Sequence, residues 1–437
     1  MEKINGNFGI ILNPSGLLFG GAQKRFTNLF HHLYLRYPNN AYYFISKELF
    51  DQIEQFSPGF KFNNVVLLKN LEFNIFPFRK ISIGKKREVD EKSPVDENSN
   101  VNWFKELSLQ EQIVKYFKSY LKQYYLFRQV ERGRKKYNIK VFLGVFSGIL
   151  PLYFYLNKKK RKTGIIFSDM DSWFSNINDS DRDYWYKKYD SFNYGLGKSD
   201  SLDFLSPFIV GGILERKIKL NKSSINISPC SFSDYTKCTP GDKKDFLVSY
   251  AARIFPDKNP MLYLEAAKII VKKYPFVKFS LLGKGLASLH QGIKKFIDIN
   301  NLNDNLNFCF HPNPSEVFSK STIFVSIQTT NNYPSQSVLE AMACGNAIIA
   351  SDVGDTRMFV NDEVGILIPL ELSSLVNALE RLINNKEQAL MLGKNAREFV
   401  LKNHILEKCS EYYLDLFEQA RLKAESKISD KCQIKSE

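Results

Sequence analysis

The chain has 437 residues, 44% of them hydrophobic, which is enough for a sizeable core and too many for one ordinary domain, so two domains are expected. Its 61 Lys+Arg against 46 Asp+Glu leave a net charge of +15, which suits anionic partners (nucleic acid, nucleotide phosphates, an acidic membrane face) without choosing among them. Scattered cysteines without a CxxC pair count against a disulfide scaffold, histidines without HxxxH spacing count against a transition-metal site, and the longest apolar run, 141–156 with Pro151 inside, is shorter than the ~20 residues of a membrane-spanning helix.

The opening segment, MEKINGNFGIILNP, lacks the charged-then-apolar layout of a secretory signal, so a reducing, cytoplasmic setting is expected. Residues 8–12 read as a short apolar strand, 13–21 as a Gly-containing loop, and 22–37 as a helix; 41–46 and 64–68 read as the next strands, which begins a βαβ pattern. Between 78 and 102 the pattern collapses into charged and small polar residues, the composition of a mobile insertion. A helix over 103–136 with a basic end follows, then strands at 140–145, 164–168, 201–206 and 224–228.

A Ser-, Thr-, Gly- and Pro-bearing linker at 230–244 separates the halves. The alternation then starts afresh: strand 245–251, loop 252–260, helix 261–274, strand 277–282 and the loop Gly283-Lys284-Gly285. An amphipathic helix over 406–423 and a fraying polar tail, 424–437, complete the chain. The fold class is therefore α/β, with two Rossmann-like doubly wound domains.

Chemistry concentrates in the second half. In Tyr333-Pro334-Ser335-Gln336-Ser337-Val338-Leu339-Glu340, a Pro and two Ser precede a helical run, and a helix N-terminus with free N–H groups is an anion site that suits a diphosphate. Ser337 with Glu340 also spells a capping box, S-x-x-E, which taken alone would account for both residues. A second anion-binding set stands after the first strand of this half, where the Arg253 fork and the Lys258 point charge would neutralise phosphates.

Arg253, Lys258-Asn259-Pro260, Gly283-Lys284-Gly285 and the LEAMACG run resemble the retaining GT-B glycosyltransferases, specifically glycosyltransferase family 4 (glycosyl transferases group 1). The resemblance implies an acceptor-side domain over 1–229, a nucleotide-sugar donor domain over 230–405 facing it across a cleft, and a 406–423 helix packed back on the first domain. It further implies that Arg253 and Lys258 hold the donor diphosphate and Glu340 the ribose. Gly283 and Gly285 would lie along the nucleotide, and the backbone near His311 would meet the base. Ser335, Gln336 and Ser337 fall at the helix start, and Gly20 and Gly21 resemble the family's glycine pair at an acceptor or phosphate loop.

Two positions depart from the family pattern. Asn332 stands where a second Glu is usual, so the contact to the transferred sugar loses its charge, and Ser168-Asp169-Met170-Asp171 stands where a His is common, leaving Asp169 or Asp171 to bind a hydroxyl. The expected reaction is transfer of a hexose-type sugar from a nucleotide diphosphate donor with retention, without metal or cofactor.

The expected acceptor is a saccharide or lipid-linked acceptor for cell-surface polysaccharide. The basic stretches 158–162 and 103–136 would rest on an anionic leaflet at the inner face of the cytoplasmic membrane. A non-catalytic sugar-nucleotide binder or a nucleotide-sugar epimerase would share the donor residues. Nucleic-acid binding has the charge but none of its motifs.

Overall fold

The computed structural model describes residues 5–12, 21–56, 59–71, 109–158, 161–169, 190–215, 218–229, 231, 233–242, 246–331, 333 and 335–433; the expected insertion at 78–102 lies outside them. Two parallel sheets form. The first contains β1 (Asn7–Leu12), β2 (Ala41–Ser46), β3 (Val65–Leu68), β4 (Ile139–Val145), β5 (Gly164–Asp169), β6 (Ser201–Phe204) and β7 (Ile225–Ile227), in the order β3-β2-β1-β4-β5-β6-β7. With these go helices α1 (Gly21–Arg36), α2 (Lys47–Phe56), α3 (Leu109–Lys136), α4 (Tyr153–Leu156), α5 (Asp190–Lys198) and α6 (Pro207–Glu215).

The strand sequences are continuous apolar runs because both faces are covered. Phe8, Ile10 and Leu12 of β1 pack on one side with Phe26, Leu29 and Phe30 of α1. Ile11 joins Phe44, Phe142 and Leu126 on the other side. The run 141–156 divides into β4, a 3-10 turn at Phe146–Ile149, and α4. Gly148 is needed in that turn, since a Cβ there would stand 2.2 Å from the Ile11 carbonyl oxygen.

The second sheet contains β8 (Leu247–Ala251), β9 (Lys278–Leu282), β10 (Leu306–Cys309), β11 (Ile323–Ser326), β12 (Ala347–Ser351) and β13 (Gly365–Ile368), in the order β10-β9-β8-β11-β12-β13. Its helices are α7 (Pro260–Lys273), α8 (Ala287–Ile299), α9 (Ser315–Phe318), α10 (Gln336–Ala343), α11 (Leu372–Asn384) and α12 (Lys386–Asn403). In both sheets the first strand pairs with its second and fourth, β1 with β2 and β4, β8 with β9 and β11. That reversal opens a crevice at the carboxyl ends of the strands, where ligands bind in open α/β sheets.

The last helix, α13 (Leu406–Gln433), runs ten residues past the expected boundary, through what composition suggested was a fraying tail. It crosses back to the first sheet, contacting β4, β5, β6 and α1. Phe417 stacks on Phe8 at 4.6 Å, and the Gly164 Cα lies so close that a Cβ would meet the Ala420 carbonyl oxygen at 2.6 Å. Its extension is held by Ala424, fully buried, and by Lys423 and Lys427, which donate to the Asp200 carbonyl (3.2 Å) and carboxylate (2.6 Å).

Asp200 also corrects the reading of 158–162 as one basic surface. The Arg161 side chain, 8% exposed, makes a 2.9 Å ion pair with Asp200, and Lys158 lies over the Tyr155 and Phe127 rings at 5.1 and 5.4 Å. In the other basic stretch, Arg134 is paired with Glu131 at 2.7 Å.

A buried polar network joins α1, β5, β6, α13 and the segment that leaves the first domain. Arg25 is 1% exposed and its Nη2 donates to Ser228 Oγ (3.0 Å), the Pro229 carbonyl (3.1 Å) and Tyr413 OH (3.2 Å). Tyr412, Tyr413 and Ser168 hydroxyls donate to the Asp203 carboxylate at 2.7, 2.8 and 2.6 Å. Burial pushes the Asp203 carboxyl above its usual range, and the Arg25 charge and these donors pull against it. Removing one member of such a network leaves a buried charge uncompensated. Arg25→Met should therefore cost about 3–5 kcal/mol in urea unfolding; a loss below ~1 kcal/mol would mean that the network is dispensable.

Candidate functional site

The crevice of the second sheet gathers the loops after β8, β9, β11 and β12. The β8 and β9 loops touch through a parallel bridge between Ile254 and Gly285. Glycine is required at 283 and 285 by this contact, because a Cβ would meet the Ala252 oxygen at 2.0 Å and the Ile254 oxygen at 2.1 Å. Close packing of the two loops thus explains the glycines, and it sets Arg253 between them. Arg253 is exposed, with its guanidinium 5.4 Å from the Phe255 ring centroid.

Lys258 closes the 3-10 turn Pro256–Lys258. Asn259 follows with φ 52°, a left-handed conformation that Asn tolerates, and Pro260 then opens α7. The turn buries Lys258 to 8% exposure, and its ammonium donates to Gln328 Oε1 at 2.6 Å and pairs with Asp257 at 3.0 Å. Tyr250 OH holds the Lys258 carbonyl at 2.7 Å. Gln328 is itself fixed after β11: its N–H donates to Ser351 Oγ (2.8 Å), and Ser351 Oγ donates back to its carbonyl (2.9 Å).

Helix α10 starts as expected, with Ser335 as N-cap in extended backbone (φ −79°, ψ 120°) and Gln336 as first residue. Ser335 makes no capping bond to the helix; its Oγ lies 3.3 Å from Ser337 Oγ. The Ser335 side chain thus leaves the first-turn N–H groups uncapped. Ser335, Gln328 and Ser351 line one small cavity of about 10 Å³, with Ser326, Val353, Thr356 and Phe359. Gln328, which accepts from the Lys258 ammonium, thus lies on the same small cavity as Ser335 at the start of α10.

The capping-box alternative for Ser337 and Glu340 does not hold, because Ser337 lies inside the helix and not at its cap. Glu340 instead reaches the domain junction, 6% exposed. There its Oε1 accepts from Lys24 Nζ of α1 at 3.0 Å, from Gln336 Nε2 at 2.8 Å and from Ser233 Oγ at 3.5 Å. Gly21 opens α1 one turn before Lys24.

A second contact between the domains stands nearby: Asp355 Oδ2 accepts the Phe208 N–H in the first turn of α6 at 3.0 Å. Asn331 Oδ1 braces this loop by accepting from the N–H groups of Asp355 (3.1 Å) and Tyr333 (3.2 Å). Gly354, at φ +53°, has no room for a side chain, since a Cβ would stand 2.5 Å from Asn331.

Other expected residues fall differently. The His311 side chain does not join this group: its Nδ1 accepts from Asn313 N–H at 3.1 Å and it lines a separate cleft of about 400 Å³ with Lys278, Ser280, Glu316 and Lys320. The backbone there does approach the glycine loop, Gly283 N–H donating to the Cys309 carbonyl at 3.1 Å. Beside it Lys284 sits 3.7 Å over the Phe310 ring, which is half exposed at 51%. Asp169 ends β5, while its side chain, Gly20, Asp171 and Asn332 lie outside the described residues.

Sequence reasoning missed Lys24, Gln328, Ser351 and Asp355. Of these only Lys24 carried a local signal, standing in the first turn of a helix that Gly21 opens. Among the described residues no group of three or more His, Cys, Asp or Glu could hold a metal, and no helix is long and apolar enough to cross a membrane.

Comparison with known proteins bears on both halves. The sequence model described as Glycosyl transferases group 1 matches residues 234–399, which span the crevice. The chain is 29% identical over 177 residues to a poly(ribitol-phosphate) alpha-N-acetylglucosaminyltransferase of Staphylococcus aureus (strain COL), over 39% of this chain and 35% of that protein. It is 26% identical over 182 residues to a UDP-Gal:alpha-D-GlcNAc-diphosphoundecaprenol alpha-1,3-galactosyltransferase of Escherichia coli, over 40% of this chain and 46% of that one. The matches thus span less than half the length of these relatives.

Among solved structures, sucrose-phosphate synthase of Thermosynechococcus elongatus superposes with a TM-score of 0.65 at 16% identity, covering 95% of this chain and 99% of that one. HepE of Anabaena, in complex with UDP, superposes with a TM-score of 0.66 at 12% identity, covering 94% and 98%. Residues 234–399 are a glycosyl transferases group 1 domain, set as the second half of a two-domain GT-B fold.

Proposed function

We propose that the protein transfers a hexose-type sugar from a nucleoside diphosphate sugar to a saccharide or lipid-linked acceptor, with retention of configuration, as in glycosyltransferase family 4. The observation that carries this is the placing of Gln328, the partner of Lys258, beside Ser335 at the α10 N-terminus, with Lys258 and Arg253 both on the loop after β8. Breaking the bond between sugar and diphosphate places negative charge on the leaving group, and preorganised cations and N–H donors stabilise it most where water is scarce. In this reading the buried Lys258 and the helix start supply a cation and N–H donors, and the exposed Arg253 adds its fork.

Glu340 would hold the ribose, and a donor phosphate oxygen would take the acceptor proton, so that the protein supplies no separate base. Nucleotide choice favours uridine as the first to test, since the galactosyltransferase relative is named for UDP-Gal and the HepE structure holds UDP. The two relatives are named for a poly(ribitol-phosphate) and a diphosphoundecaprenol acceptor, which supports an envelope polymer or its lipid-linked precursor here. A site at the inner face of the cytoplasmic membrane suits the second of these. Helix α3 supplies a surface for it, exposing Phe117, Tyr120 and Tyr124 beside Lys118, Lys122 and Arg128. No metal or cofactor enters the proposal.

One other reading has a specific motive. Asn332 in place of the usual Glu fits a sugar-nucleotide binder that has lost turnover.

With UDP-sugars and an undecaprenyl-diphosphate saccharide, the wild type should release UDP only when acceptor is present, and NMR of the product should give the donor's anomeric configuration. Donor binding without any release would favour the binder reading. Arg253→Ala should lower kcat/KM by about 100-fold while leaving the melting temperature unchanged, because the side chain is exposed; equal activity would remove Arg253 from the site. In flotation assays the protein should bind phosphatidylglycerol vesicles and not phosphatidylcholine, with binding lost at high salt; indifference to lipid charge would sink the membrane contact.

A further inference from the structure

Glu340 is the one donor-site residue whose carboxylate is held from the other domain. Lys24 reaches it from α1 across 316 positions of sequence, in a 3.0 Å ion pair with side-chain exposures of 29% and 8%. Three donors, from Lys24, Gln336 and Ser233, converge on Oε1. None of the three uses Oε2. A carboxylate with one oxygen saturated and its rotamer fixed presents the other in a set direction, which suits a vicinal diol that needs an acceptor.

We propose that Lys24 is a positioning residue for the nucleotide: it orients Glu340 so that Oε2 accepts from the ribose hydroxyls, making donor affinity depend on the docking of α1 against α10. The inference rests on the donor-site reading given under Proposed function and adds Lys24 to it. Its physical consequence is coupling. If the Lys24 bond favours ribose binding, ribose binding favours the arrangement of the two domains in which that bond exists, by the same factor. The half-buried ammonium has a larger effect than a surface pair, because Glu340 has little water to fall back on.

The test is calorimetric titration of the full chain with UDP, GDP and ADP, and then with the 2′-deoxy form of whichever binds best. Lys24→Ala should weaken the ribonucleotide about tenfold, leave the 2′-deoxynucleotide within about twofold of wild type, and be largely rescued by Lys24→Arg. Asp355→Ala, which removes the hydrogen bond to Phe208 N–H between the domains, should keep the wild-type preference for ribose over deoxyribose. The proposal is overturned if Lys24→Ala binds the ribonucleotide as well as or better than wild type. It is equally overturned if both nucleotides weaken alike, or if Asp355→Ala abolishes the ribose preference as Lys24→Ala does, since loosening of the domains would then explain everything. Failure of the wild type to bind any of the three nucleotides would instead overturn the donor site itself, a result distinct from a missing contrast between ribose and deoxyribose.

Discussion

Asp203 is a fully buried carboxylate, and much of the architecture can be understood as its compensation. A charge in that position is tolerable only if every lone pair is engaged and an opposite charge stands near. Tyr412 and Tyr413 come from the last helix, Ser168 from β5, and Arg25, through Tyr413, from α1. Satisfying Asp203 therefore requires α13 to return from the second domain and lie along the first sheet. Since Arg25 also holds Ser228 and Pro229, the same network grips the chain where it leaves the first domain.

The two crossings between the domains are thus pinned at a single place, on the first domain. Beyond it the second sheet presents its crevice toward α1 and α6. Helix α10 stands at the centre of this junction. Its N-terminus shares a cavity with Gln328, the partner of Lys258, and its second turn sends Glu340 to Lys24. One short helix thus both opens onto the crevice and carries a contact between the domains, which under the proposed function would link recognition of a nucleotide to the relation between them.

Many of these parts can be read in the amino-acid order. Apolar runs such as 8–12, 141–145 and 347–351 announce buried parallel strands, and the Pro-Ser-Gln-Ser run before Val338 announces the start of α10. Less of the site was legible. Lys258 reads as a point charge for phosphate, and only the structure adds that it is buried against Gln328, which has no local mark of importance. Ser337 and Glu340 spelled a capping box, and the helix begins two residues earlier. Arg161 looked like part of a basic surface until Asp200 met it.

The sequence by itself determined the alternation of strands and helices, the two α/β halves and the positions of the helix starts. Each of these follows from periodicity and turn chemistry within a few residues. Only the tertiary structure decided which charges are spent inside the protein and which face a ligand. Lys24 with Glu340, Arg161 with Asp200 and Tyr413 with Asp203 are pairs far apart in the chain. An ion pair depends on distance in space, and that distance exists only once two sheets and the returning helix have packed.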